Sequence, residues 1–159
     1  METGNTISLL HVGSALLALL LALVVLIAPK GTRFHKRMGY AFAITLLLVN
    51  GSAVLMYNLT GRFNFLHVFA MISLASLIYG MIPAIRRKPA NWLRRHISGM
   101  TGAALGVWAA GLAELTIRVL PGFLNPSQII GIAVGIGVVF FFLIGFLIGR
   151  FMKALPENP

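Results

Sequence analysis

Five long apolar stretches, separated by short polar punctuation, account for most of the chain. They run over roughly 7–28, 36–58, 64–85, 96–119 and 128–150. A helix rises about 1.5 Å per residue, so ~20 such residues cross the hydrocarbon core of a bilayer. Backbone groups in lipid must be satisfied within their own segment, which makes each stretch a helix. The pattern therefore predicts an all-α integral membrane bundle, a single transmembrane domain over residues 1–159 with five spanning helices.

The punctuation indicates how the helices follow one another. Pro29-Lys30-Gly31-Thr32 ends the first, and Thr60-Gly61-Arg62 is a tight turn that makes the second and third antiparallel neighbours. Pro83 is expected to bend or end the third helix. Residues 86–95 form a basic loop with Pro89 and with Trp92 placed as an interfacial anchor, and Pro121-Gly122 and Asn125-Pro126 bracket the last connection. Connections this short predict an up-down four-helix bundle for the first four helices. Three GxxxG pairs, Gly102/Gly106, Gly131/Gly135 and Gly145/Gly149, predict close packing within the bundle or a homodimer seam.

Composition agrees with the pattern and charge orients it. The chain is 58% hydrophobic and only 10% charged, where a soluble domain carries about a quarter charged residues. Lys30, Arg33, Lys36, Arg37, Arg86, Arg87, Lys88, Arg94, Arg95, Arg150 and Lys153 fall on one side of the predicted bundle, and Arg62 and Arg118 on the other. This bias places the N-terminus outside and the C-terminus in the cytoplasm, in a bacterial inner membrane whose anionic headgroups suit the basic face. The net charge of +10 is not a nucleic-acid signature, because no soluble face carries it. The first apolar run is too long for a cleavable signal and lacks a basic leader. With no cysteine, no aspartate and only Glu2, Glu114 and Glu157 as acids, disulfides, thiolate sites and paired-carboxylate chemistry are excluded.

The four histidines are the candidate chemistry. His11 and His67 lie near the outer ends of the first and third stretches, His35 and His96 near the inner ends of the second and fourth. In an up-down bundle these are two diagonal pairs at matched depths. An ionisable residue in a span is costly without a partner and is read as functional. Two facing histidine pairs are how a bundle holds two b-type haems, and bis-histidine ligation suits electron transfer. His11 stands roughly 25 Å above the inner end of its helix, so two such sites would span most of the bilayer. Small residues follow each histidine by about one turn: Ser14 and Ala15, Gly39, Ala70, and Gly99. Arg33, Lys36, Arg94 and Arg95 are candidates to pair with propionates at the inner face, and Arg62 and Arg118 at the outer. Interfacial hydrogen bonding and packing are the plainer role for each histidine taken singly.

Glu114 lies near the depth of His11 and His67 and admits three readings. It pairs with Arg118 four residues on, it joins His11 and His67 in a tetrahedral zinc site with an open position, or it accepts protons from a quinone-class or other small redox donor. Asn50, in mid-helix, is expected to hydrogen-bond a neighbouring helix. Met71 and Met100 read as core filling, Trp108 and Phe140-Phe141-Phe142 as packing or lipid-facing residues, and the fifth helix as peripheral to any site.

The run Lys30-Gly31-Thr32-Arg33-Phe34-His35-Lys36-Arg37-Met38-Gly39-Tyr40 resembles the KGT-x-x-H-x-x-x-G signature of a bacterial family of small membrane proteins, domain of unknown function 2306. Phe65-Leu66-His67, Arg95-His96 with Met100 after it, and His11 are similar to that family's remaining histidine positions. The resemblance covers roughly residues 8–105. It implies a histidine-bearing membrane bundle, and the layout is similar to that of transmembrane di-haem cytochromes b. The function expected from the residues is electron carriage by two bis-histidine haems, an oxidoreductase or electron-transfer role. A zinc protein or enzyme using His11, His67 and Glu114, and a helical subunit without catalysis, are the alternatives.

Overall fold

A computed structural model describes residues 2–56 and 65–155. Among these the chain is helical throughout, with α1 over Glu2–Ile27, α2 over Arg33–Val54, α3 over Phe65–Arg86, α4 over Trp92–Val119, a short 3-10 turn over Leu120–Gly122, and α5 over Pro126–Lys153. All five α-helices are long and apolar enough to cross a membrane. The turn Thr60-Gly61-Arg62, and with it the candidate Arg62, lies outside the described residues.

Local chemistry sets the ends. Thr32 accepts from the His35 backbone N–H at 3.1 Å and donates to the Pro29 carbonyl at 2.8 Å, so α2 starts at Arg33, earlier than hydropathy alone suggests. Gly31 precedes it with φ +80°, the left-handed conformation open to glycine. Lys30 Nζ reaches back to the Val25 and Leu26 carbonyls at 2.8 and 2.7 Å and satisfies the C-terminus of α1. At α5, Asn125 and Gln128 form a reciprocal capping box ahead of the apolar run. Pro83 does not end α3, which continues to Arg86.

The helices close a ring of contacts: α1 packs on α2 and α4, and α3 packs on α2 and α4. The backbones of α1 and α3, and of α2 and α4, do not approach within 8 Å, so those are the diagonals among the described residues. α5 lies outside the ring against α4. The core is built around Ala18, Ala22, Phe42, Leu46, Leu77, Met100, Ala103 and Ala104, with alanine allowing close approach at several levels. In lipid such packing, not water exclusion, holds helices together, and a few polar links add to it. Asn50 supplies one, from its Nδ2 to Ser73 Oγ at 3.5 Å, as expected of a mid-helix asparagine. The tightest crossing is one the GxxxG search does not flag. A Cβ on Gly99 would sit 2.6 Å from the Gly80 Cα and from the Ser76 carbonyl. Gly131, Gly135, Gly145 and Gly149 have nothing within 4 Å of an added Cβ, so these glycines serve no packing inside the chain.

Candidate functional site

The two ends of the ring hold different chemistry. At the end where the α1–α2 and α3–α4 connections meet, His35 of α2 and His96 of α4 face each other across a diagonal. Their ring centroids are 6.4 Å apart and their planes stand at 89°. His96 Nδ1 lies 3.0 Å from the Gly80 carbonyl oxygen. A carbonyl only accepts, so Nδ1 donates, and a neutral His96 ring is left with its lone pair on Nε2. The Nδ1 of His35 is buried without a hydrogen-bond partner. His96 is thus steadied by a backbone carbonyl, an arrangement usual for metal-bound histidines, and each ring keeps a nitrogen for a ligand.

Beside this pair opens a cavity of about 820 Å³. It is lined by apolar side chains such as Val25, Met81, Leu93 and Met100, and by the cations Lys30, Lys36 and Arg87. Gly39, one turn after His35, contributes an open wall where an added Cβ would meet nothing within 4 Å. Of the expected inner bases only Lys36 borders the cavity. Arg33 and Arg94 are exposed, and Arg95 stacks over the Tyr79 ring at 5.7 Å. Lys30 and Arg87 take their place; Arg87, which also covers the Trp92 ring at 4.5 Å, was hidden in a run of basic residues that topology alone explains. α5 is less peripheral than its composition implies, since Phe151, with Ala154 and Leu155 just past the helix end, closes one side of the cavity. Met100 is buried there, whereas Met71 is exposed and fills no core.

The opposite end is smaller and more polar. His11 and His67 are both buried and line one cavity of about 100 Å³ together with Asn50, Ser73, Ala15, Ala70, Glu114 and Arg118. His11 is held on both sides: Nδ1 is 3.0 Å from Ser52 Oγ, and Nε2 is 3.7 Å from a Glu114 carboxylate oxygen. Arg118 donates to the other oxygen of Glu114 through Nε at 3.0 Å and Nη2 at 2.7 Å, the i,i+4 pair expected from sequence. Ser52, invisible as a candidate in the sequence, is found only because α1 and α2 pack side by side. No group of three His, Cys, Asp or Glu able to hold a metal ion occurs among the described residues, the trio His11, His67 and Glu114 included.

These dimensions test the haem expectation. Two trans imidazoles on one metal, with metal–nitrogen bonds of about 2.0 Å and roughly 1.2 Å from each nitrogen to its ring centre, have centroids about 6.4 Å apart. The inner pair has this centroid separation, in an edge-to-face contact, and the cavity beside it falls in the size range of cofactor sites. The outer pair does not fit: both His11 nitrogens are engaged, and the space is too small for a macrocycle. No protein-family model, no curated protein and no solved structure matches the chain, so the family likeness rests on its short motifs.

Proposed function

We propose that this protein is a membrane haem protein of the b type in which His35 and His96 hold one haem between α2 and α4 at the basic end of the bundle. The observation that carries the reading is the His35/His96 pair, 6.4 Å apart with His96 anchored on the Gly80 carbonyl, beside a cavity of about 820 Å³. A bare metal ion would need a third protein ligand, which the described residues do not offer there. A haem brings its own ring nitrogens, so the two histidines His35 and His96 would be enough to hold it. Held by His35 and His96, the group would supply one-electron transfer.

The chain's own residues do the rest. The Gly80 carbonyl fixes the His96 tautomer, Met100 and the neighbouring apolar residues exclude water, and Lys30, Lys36 and Arg87 offer positive charge to propionates. The positive-inside bias puts this end in the cytoplasm, with the N-terminus outside a bacterial inner membrane. The run that resembles the signature of domain of unknown function 2306 lies at this same place. Lys30, Gly31, His35, Lys36, Gly39 and Tyr40 of the signature-like run all border the cavity, and Thr32 caps the helix that presents them.

The test is an absorption spectrum of protein purified in mild detergent from haem-replete cells. A Soret band and a reduced α-band at one haem per chain are expected, lost in His35→Ala and in His96→Ala and retained in His11→Ala. Colourless protein that takes up no added haemin refutes the proposal.

A further inference from the structure

The backbone turns left-handed at two described positions, both at the basic end. One is Gly31, at φ +80°; the other is Arg87, at φ +54°, directly after α3 ends at Arg86. Glycine is the usual residue just past a helix end, because a Cβ strains the left-handed conformation. Arginine there carries a cost that glycine would avoid, and such an outlier points to a use for the side chain. The guanidinium carbon of Arg87 lies 4.5 Å from the centre of the Trp92 ring, and both residues line the cavity of about 820 Å³ beside His35 and His96. A guanidinium resting on an aromatic face keeps its fork of N–H donors for an acceptor in its own plane. No carboxylate among the described residues answers it: none lines the cavity, and the ion pairs lie around Glu114 at the opposite end.

We infer that Arg87 is the residue that selects the cavity's ligand by charge, taking a carboxylate on the rim of a large apolar body. This rests on the haem reading above, in which the carboxylates are the propionates, and it names which of the cavity's cations decides. Lys30 has two of its three N–H donors committed to the Val25 and Leu26 carbonyls, at 2.8 and 2.7 Å, and serves the end of α1 first. Lys36 is an exposed point charge that gives a carboxylate no fixed geometry. Of the three, Arg87 combines a planar fork with a supporting ring. It stands just past α3, at the polar edge of a cavity whose apolar side includes Met81, Leu93 and Met100. That division suits a ligand with an apolar body and an acidic rim. The strained turn at Arg87 is then the cost of holding a cation where the ligand's charge needs it.

The experiment titrates the haem-free chain in detergent with haemin and with haemin dimethyl ester, the same macrocycle with its carboxylates esterified, and follows the Soret band. The native chain is expected to prefer haemin by about tenfold or more, the usual worth of a hydrogen bond to a charged group. Arg87→Gln and Arg87→Gly should each bring that preference down to about threefold or less through weaker binding of haemin, with the ester bound as in the native chain. Haem-free Arg87→Gly should also melt no lower than Arg87→Gln, because glycine accepts the left-handed turn. No preference in the native chain, a preference that survives both substitutions, or an equal loss of affinity for haemin and ester overturns the inference while the haem reading stands. An Arg87→Gly chain that melts below Arg87→Gln overturns it as well. A native chain that binds neither macrocycle overturns both.

Discussion

Gly80 and Gly99 face each other where α3 crosses α4, and neither has room for one added carbon. A Cβ on Gly80 would lie 2.8 Å from the Met100 backbone nitrogen, and one on Gly99 would run into the backbone of Gly80 and the Ser76 carbonyl. Backbone cannot yield as a side chain does. This contact brings α3 close enough for the Gly80 carbonyl to hold His96 at 3.0 Å, so a packing feature also sets the orientation of a candidate ligand.

Gly99→Ala and Gly80→Ala should each destabilise the protein by about 1–3 kcal/mol, the usual cost of overpacking, and lower haem content by displacing His96. Thermal unfolding in detergent and the Soret absorbance per chain measure the two effects. Gly135→Ala and Gly145→Ala meet open space and should leave unfolding unchanged. A fall in cross-linked dimer with the chain's own stability intact would assign that face of α5 to a seam between copies.

Gly39 allows the cavity to be filled without disturbing the fold. An added Cβ there meets nothing within 4 Å, and the residue lines the cavity beside His35. Gly39→Phe should keep stability within about 1 kcal/mol of the native chain, gaining helix propensity while adding bulk to empty space. Haem content should fall at least several-fold. Undiminished haem at undiminished stability would place the macrocycle elsewhere.

Lys30 gives stability a pH dependence of known sign. Burial pushes its ammonium below the ordinary value of 10.5, so the folded chain binds this proton more weakly than the unfolded one. The penalty is complete below the folded value and is relieved as pH rises through it towards 10.5. Stability should therefore climb over that window on account of Lys30. Melting temperatures measured from pH 8 upward, native chain against Lys30→Met, check it: the difference should favour the native chain increasingly as pH rises. A pH-independent difference removes the assignment.

The cap of α5 offers a separate handle. Asn125→Ala deletes the acceptor for the Gln128 backbone N–H at 3.0 Å and breaks the reciprocal box. The expected loss is about 1 kcal/mol, read from denaturant or thermal unfolding, with haem content unaffected.

Much of the architecture was legible one residue at a time. Apolar runs of spanning length, Pro29-Lys30-Gly31-Thr32 and Asn125-Pro126 as boundaries, and the Glu114–Arg118 pair all rest on local rules: rise per residue, capping and i,i+4 spacing. Those rules need no knowledge of what lies across the bundle. The matched depths of the four histidines were visible for the same reason. GxxxG spacing records where a helix is smooth, not which neighbour touches it: Gly102 packs on Ser76 of α3, while the α5 pairs meet nothing within the chain. Gly80, alone in its stretch, carries the tightest crossing, while the paired glycines of α5 face outward.

By itself, the amino-acid order determined that the chain forms membrane-length helices, roughly where they begin and end, and which side chains are able to carry chemistry. Only the tertiary structure decided that the two histidine pairs are unlike. Depth along a helix follows from counting residues, but the direction of a ring nitrogen depends on what a neighbouring helix presents to it. For His96 that is a carbonyl, which leaves a free lone pair beside a large cavity. For His11 it is a serine and a carboxylate, which flank the ring on both sides.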